Sequence, residues 1–316
     1  MKECVLCPRK CRVDRNNGHT GICGQTAEIK VARASLHMWE EPCISGEHGS
    51  GTVFFSGCAL HCVFCQNHKI ANGDDGKIIT IQRLAEIFLE LQEKGANNIN
   101  LVTAAHFVPQ VVEALQKSKR QGLYLPVVYN SSGYEEVETL RLLEGYVDVY
   151  LPDFKYVDSK ISEKYSSAPD YFEKAKKALQ EMVRQTGTTE FYDEKTRRKK
   201  IGVAEYQERS ENGESFIMTK GVIVRHLLLP GCLEDSKRVL KYLIKEYGDS
   251  IFISIMNQYT PLPHVKEYTE LNRKVTEQEY EALLDYAIEL GIENGFLQEG
   301  DVAAESFIPE FDGSGV

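Results

Sequence analysis

Three thiols crowded into eight residues, Cys58, Cys62 and Cys65, follow directly on the apolar run Thr52-Val-Phe-Phe-Ser56, and no other feature limits this chain so sharply. A loop that short keeps its sulfurs together whatever the rest of the polypeptide does. Thiolates are soft, strongly donating ligands that select zinc, copper(I) or iron–sulfur clusters. Three protein ligands leave one coordination position for another molecule, as reactive centres do, whereas structural zinc sites close with four. A zinc knuckle completed by Cys43 or His61 is the alternative for the same residues.

From Gly51 onward short apolar runs alternate with amphipathic stretches, the pattern of repeated βα units that build a parallel sheet. Strands are expected at 52–56, 98–103, 125–130, 147–151, 222–229 and 251–256. Helices are expected at 80–94, 108–121, 135–143, 159–184, 234–247 and 276–290. The first of these has Thr80 as N-cap, Leu84, Ile87, Phe88 and Leu91 on one face, and Gly95 past its end; Pro169 interrupts the fourth. Six units predict an α/β fold, a partial (β/α)6 barrel occupying 46–265, preceded by a Cys-rich extension at 1–45, whose short apolar pieces such as Ile29 to Leu36 bury little core and mark it as an appendage, and followed by a helix and tail at 266–316. Asn212-Gly213, between two alternating runs, predicts a hairpin inserted at 188–220.

On a parallel barrel the loops after the strands form the mouth, so the polar residues that end apolar runs are site candidates. These are Asn130-Ser131, Asp153 with Lys155, Arg225-His226 and Asn257-Gln258. Arg225 and His226 alternate faces of one strand, and Arg225 is assigned to a carboxylate or ribose contact, His226 to the core.

The net charge of -10 and pI near 5.4 repel phosphate backbones, so nucleic acid is not an expected partner, and the basic run at 195–200 reads as a solvated loop. No apolar run follows the first charges and no eighteen consecutive residues are apolar, so neither secretion nor membrane spanning is expected and the chain is assigned to the cytoplasm. Nine cysteines in a reducing compartment point to metal or redox cofactors before disulfides. Cys4, Cys7, Cys11 and Cys23 place four thiols inside twenty residues, enough to close a second metal site, with zinc or an iron–sulfur cluster. Cys43 and Cys232 stand alone and read as buried thiols.

The spacing Cys58-x3-Cys62-x2-Cys65, with the aromatic Phe64 before the last cysteine and a strand before the first, resembles the signature of the radical S-adenosylmethionine (SAM) superfamily. The resemblance implies a [4Fe-4S] cluster whose fourth iron is chelated by SAM, and one-electron cleavage of SAM to methionine and a 5'-deoxyadenosyl radical. Thr103-Ala-Ala-His106, Asn130-Ser-Ser-Gly133, Asp153-Phe-Lys155, Arg225-His226 and Met256-Asn-Gln258 extend the likeness to homologues of pyruvate formate-lyase activating enzyme. In that branch an Asp-Thr pair stands where Asn130 and Ser131 are, and an Asp and a Lys where Asp153 and Lys155 are. Those positions contact the methionine half of SAM or an adjacent monovalent cation. Asn130 removes one negative charge from that set, and the branch's Gly-Gly-Glu motif is absent at 103–106. The SAM contacts implied are Phe64, His106, Asn130, Ser131, Asp153, Lys155, Arg225 and Asn257. The resemblance also implies an electron donor such as a flavodoxin or ferredoxin and, as protein substrate, a glycyl radical enzyme. Modification of another peptide or of a nucleotide is the alternative reaction, and a non-catalytic zinc-binding interaction module is the alternative of another class.

Overall fold

The computed structural model of the protein describes residues 3–197, 200–297 and 309–316. Its strands, in chain order, are β1 (Ile29–His37), β2 (Ser50–Phe55), β3 (Lys77–Ile79), β4 (Ile99–Val102), β5 (Val127–Ser131), β6 (Val149–Pro152), β7 (Glu190–Asp193), β8 (Lys200–Ile201), β9 (Phe216–Leu227), β10 (Phe252–Met256) and β11 (Gly295–Leu297). They form one sheet in the linear order β11-β10-β9-β6-β5-β4-β2-β1-β3, with β7 and β8 attached to β9. From β2 to β11 every neighbouring pair along this order is parallel. The result is an open partial barrel. All six expected core strands are present, and every residue of β2, β4, β5, β6 and β10 is buried, as strands covered on both faces must be.

Helices follow the strands. In Ile81–Glu93 the Thr80 hydroxyl accepts the Arg83 amide at 3.0 Å, and Leu84, Ile87, Phe88 and Leu91 face the sheet. The segment around Pro169 breaks as expected, into Ser159–Ser166 and Tyr171–Thr186. Among the described residues no helix is long and apolar enough to cross a membrane.

Three regions differ from the sequence expectation. The segment before residue 46 does build core: β1 pairs antiparallel with β2 along its length and buries Val31, Ala32 and Ala34. The inserted stretch is not a simple hairpin closed by Asn212-Gly213. Those residues end a helix, Val203–Glu211, and the antiparallel partners are β7 with β8 and with the first half of β9. The tail adds a parallel strand, β11, to the barrel edge. Farther on, the Gly313 amide donates to the Ala32 carbonyl and the Ala34 amide to the Ser314 carbonyl, and the Phe311 ring packs on Phe54 at 5.4 Å.

β9 changes partners along its length. Residues 216–220 pair with β7, and from Gly221 the strand runs parallel to β6 and β10. The switch requires glycine: φ at Gly221 is +144°, and a Cβ there would lie 2.9 Å from the Thr189 hydroxyl oxygen.

Candidate active site

The loop after β2 brings Cys58, Cys62 and Cys65 to the edge of one cavity of about 340 Å³ at the C-terminal ends of the parallel strands. This volume lies within the usual range for small-molecule sites. Local backbone fixes the loop. Gly57 has φ +88°, and a Cβ there would stand 2.4 Å from the Cys23 carbonyl; His61 adopts φ +53° and its Nε2 sits 2.7 Å from the Ile22 carbonyl. The Cys58 sulfur accepts the Leu60 amide at 3.4 Å, and the Cys62 sulfur accepts the Ser166 hydroxyl at 3.1 Å. Burial pushes the Cys62 thiol up to about 11 and raises Cys65 as well, so as free thiols both would stay protonated at neutral pH. A bound metal deprotonates a coordinating thiol outright.

The donor set fits an iron–sulfur cluster. Three soft sulfurs share one cavity, two of them receive hydrogen bonds, and the rest of the cavity is free for a ligand to complete the coordination. Among the described residues no three His, Cys, Asp or Glu side chains are grouped as one metal ion would require. Thiolates around a single zinc at about 2.3 Å stand roughly 3.8 Å apart, whereas thiolates on separate corners of a cluster stand farther from one another. The zinc alternative also lacks its fourth ligand, since Cys43 is packed in a separate apolar cluster with Ile44, Leu151 and Phe191, and His61 is engaged by Ile22.

Across the cavity lies a charge assembly largely shielded from solvent. Arg225 donates from Nε to Asp153 Oδ1 at 3.0 Å, from one terminal nitrogen to Asn130 Oδ1 at 2.7 Å, and from the other to Glu40 Oε2 at 3.2 Å. Lys155 Nζ reaches Asp153 Oδ2 at 2.5 Å and stands 5.9 Å from the centre of the Phe64 ring. Burial alone would raise the Asp153 carboxyl, but Lys155 and Arg225 outweigh it and hold it below its ordinary range. For Glu40 the order is reversed: burial raises it, and Arg225, Asn100 and Asn130 only partly compensate.

Glu40 is the residue the sequence did not reveal. It follows β1, in the segment read as an appendage, and its carboxylate accepts from Asn130 Nδ2 at 3.3 Å and Asn100 Nδ2 at 3.1 Å. Asn130 thus joins Arg225 to Glu40, and an acidic side chain reaches the set from position 40. Trp39, the single tryptophan, lines the same cavity and is 64% exposed. Ser166, at the end of a helix 104 residues beyond Cys62, was also missed.

Of the implied SAM contacts, Phe64, Asn130, Ser131, Asp153, Lys155 and Arg225 line the cavity. Two do not. His106 is buried, with Nε2 2.8 Å from the Ser56 carbonyl, and burial lowers it to about 3, so it braces the end of β2 as a neutral imidazole. Asn257 lies between Met256 and Gln258, which line the cavity while it does not. His226 packs under the mouth against the Phe154 carbonyl at 2.8 Å, in the core as expected.

The N-terminal cysteine segment packs on the outer side of the same loop, through Arg9 to the Ala59 carbonyl and the Ile22 carbonyl to His61. Cys4, Cys7 and Cys23 are buried and Cys11 half-buried. Burial pushes Cys7 up to about 12, and it lies within electrostatic reach of Cys23 and Cys4, as Cys23 does of Cys4 and Cys11. Cys232 is half-buried, and burial pushes it up to about 12.

The open βα barrel carries a three-cysteine loop at its mouth, and the chain is similar to several known proteins. Residues 52–192 match the family described as the Radical SAM superfamily. An uncharacterized protein of Methanocaldococcus jannaschii is 28% identical over 294 residues, which make up 91% of this chain and 75% of that one. Among solved structures, Streptococcus suis SuiB bound to S-adenosylmethionine is similar with TM-score 0.46 and 12% identity, over 78% of this chain and 49% of that one. HydG, a maturase of the [FeFe]-hydrogenase, is similar with TM-score 0.47 and 13% identity, over 76% of this chain and 49% of its own. The chain spans about half the length of these solved structures. The family implies a [4Fe-4S] cluster and SAM as its cofactors.

Proposed function

We propose that this chain cleaves SAM reductively and directs the resulting 5'-deoxyadenosyl radical at a backbone glycine of a partner protein, activating a glycyl radical enzyme. The observation that carries the reading is the sharing of one cavity by Cys58, Cys62 and Cys65 with the assembly of Asp153, Lys155, Arg225, Asn130 and Glu40. Cys58, Cys62 and Cys65 would hold an iron–sulfur cluster, which when bound would supply a low-potential electron and a coordination position for SAM. The electron comes from a flavodoxin or ferredoxin, and it is consumed in breaking one carbon–sulfur bond, which yields methionine and the 5'-deoxyadenosyl radical.

The chain's own residues bind and orient. Arg225 pairs with both Asp153 and Glu40, and Lys155 keeps a cation beside Phe64 and the Cys62 side of the cavity. Phe64, Phe54 and Ile70 supply apolar wall that excludes water from the reacting bond. The positions of Asp153 and Lys155 match those of the activating-enzyme branch, which is the support for a glycine substrate, and the acidic chain disfavours a nucleic-acid one. A second metal at Cys4, Cys7, Cys11 and Cys23, either zinc or an iron–sulfur cluster, belongs to the same reading.

Anaerobically reconstituted protein is expected to form 5'-deoxyadenosine from SAM and a strong reductant, and Cys62→Ala to reduce that product to background. Co-incubation with a glycyl radical enzyme from the same cell is expected to give a carbon-centred signal in electron paramagnetic resonance. Formation of 5'-deoxyadenosine without that signal would retain the cleavage and refute the glycine substrate.

A further inference from the structure

Two tyrosines meet ring to ring beneath the mouth, Tyr156 and Tyr171, with centroids 5.3 Å apart and planes at 78°. Both are buried, and neither belongs to the cavity lining. Their hydroxyls serve opposite halves of it. The Tyr156 hydroxyl lies 2.8 Å from the Ser166 hydroxyl, which itself donates to the Cys62 sulfur at 3.1 Å. Ser166 has one hydroxyl proton and directs it at sulfur, so Tyr156 is the donor to Ser166. The Tyr171 hydroxyl accepts the Lys155 amide at 3.0 Å and reaches the carbonyls of Ser132 at 2.8 Å and Asp153 at 3.0 Å.

We propose that Tyr171 and Tyr156 are positioning residues, which hold the charged half of the cavity and the thiol loop in register for SAM. This rests on the reading of the cavity as a SAM site and adds to it two residues outside the cavity wall. Ser132, Asp153 and Lys155 follow the neighbouring strands β5 and β6, and all three line the cavity. The two chain segments come very close there: Gly133 has φ +74°, and a Cβ on it would stand 2.2 Å from the Asp153 carbonyl oxygen. One phenol oxygen thus ties both strand ends and fixes the peptide that carries the Lys155 side chain. Its removal strips a partner from one amide and two carbonyls at once, and polar groups left unpaired away from water are costly.

Tyr156 supports the other half. A hydroxyl that accepts one hydrogen bond donates its own proton more strongly, so Tyr156 reinforces the contact from Ser166 to Cys62. Ser166 is also held from outside, its carbonyl accepting Arg9 at 3.0 Å. The register matters because the two halves touch: Lys155 Nζ stands 5.9 Å from the centre of the Phe64 ring, and Phe64 lies between Cys62 and Cys65 in the thiol loop. The phenol rings pack edge to face in a close-packed interior, so neither shifts without moving the other.

The test removes one oxygen at a time and keeps each ring. In metal-free protein, Tyr171→Phe is expected to speed hydrogen exchange at the Lys155 amide about tenfold, and equal exchange would overturn the contact. In anaerobically reconstituted protein, Tyr171→Phe is expected to raise KM for SAM about tenfold with little change in kcat for 5'-deoxyadenosine, a split that mere loss of folded protein does not give. Tyr156→Phe is expected to lower the reduction potential of the cluster, in the same direction as Ser166→Ala, and to move KM less than Tyr171→Phe does. With wild-type cleavage intact, an unchanged KM in Tyr171→Phe would overturn its role, and an unchanged potential in Tyr156→Phe would overturn that of Tyr156. Wild-type protein that forms no 5'-deoxyadenosine would instead refute the SAM reading, and the role of both tyrosines with it.

Discussion

Cys58, Cys62 and Cys65 edge a cavity and face a charge assembly in which Arg225 meets Asp153 and Glu40, whereas Cys4, Cys7 and Cys23 are buried outside that cavity beside an arginine with no carboxylate partner among the described residues. The difference separates two uses of thiols. A site that exchanges its ligand at each turnover needs one open coordination position and side chains whose own charges already balance, so that arrival and departure of SAM leave no buried ion stranded. The N-terminal thiols line no part of that cavity and, among the described residues, have no such assembly of paired charges beside them.

The largest effect that would break this comparison is at the mouth. Arg225→Met leaves Glu40 without its cation and Asp153 with Lys155 alone, and is expected to cost about 3 kcal/mol, read by chemical denaturation. Adding Glu40→Gln should recover part of that loss, and no recovery would remove Glu40 from the assembly. A second comparison uses one histidine from each region. Burial lowers His106, whose carbonyl holds Arg15, to about 3, and His226, beneath the mouth, to about 4, with Arg15 and Lys155 respectively adding to the depression. The unfolded chain binds these protons near pH 6.5 and the native chain does not. Stability is therefore complete above that pH and falls as pH drops through this window, with a slope approaching about 1.4 kcal/mol per unit for each histidine. Denaturation curves from pH 7.5 to 5 check it, and a flat profile would contradict it.

Smaller effects sharpen the picture. Ser166→Ala removes the hydroxyl that Cys62 accepts and is expected to lower the reduction potential of the core cluster, since hydrogen bonds to sulfur raise it; an unchanged potential would show that the contact is not made in the loaded protein. The smallest is optical. Trp39 is the sole tryptophan and lines the cavity, so SAM binding should blue-shift its emission, and an emission unaffected by saturating SAM would place the ligand elsewhere.

What the sequence disclosed was whatever depends on near neighbours. The six strands show as apolar runs, the Cys58 loop as a spacing, and Asp153, Lys155 and Arg225 as polar ends of those runs. Glu40 and Ser166 gave no such signal, because each acts through a partner far along the chain: Arg225 for one, Cys62 for the other. β1 was read as too short of apolar residues to build core, yet antiparallel pairing needs little beyond alternate small residues such as Ala32 and Ala34. Asn212-Gly213 ends a helix because Val203 and Tyr206, three apart, pack on the cluster around Phe191, and that packing outweighs the turn preference of the pair. His106 and Asn257 have the polar character of ligands, but only the course of the backbone turns them from the cavity.

The ionic set at the mouth draws on residues 40, 130, 153 and 225, whereas the block shared with the family runs from 52 to 192. Its first and last members therefore lie beyond opposite borders of the inherited unit. A graft of that block into a relative would transplant the thiol tripod with half of its electrostatic counterpart, and the host would have to provide both an acid ahead of it and a guanidinium behind it.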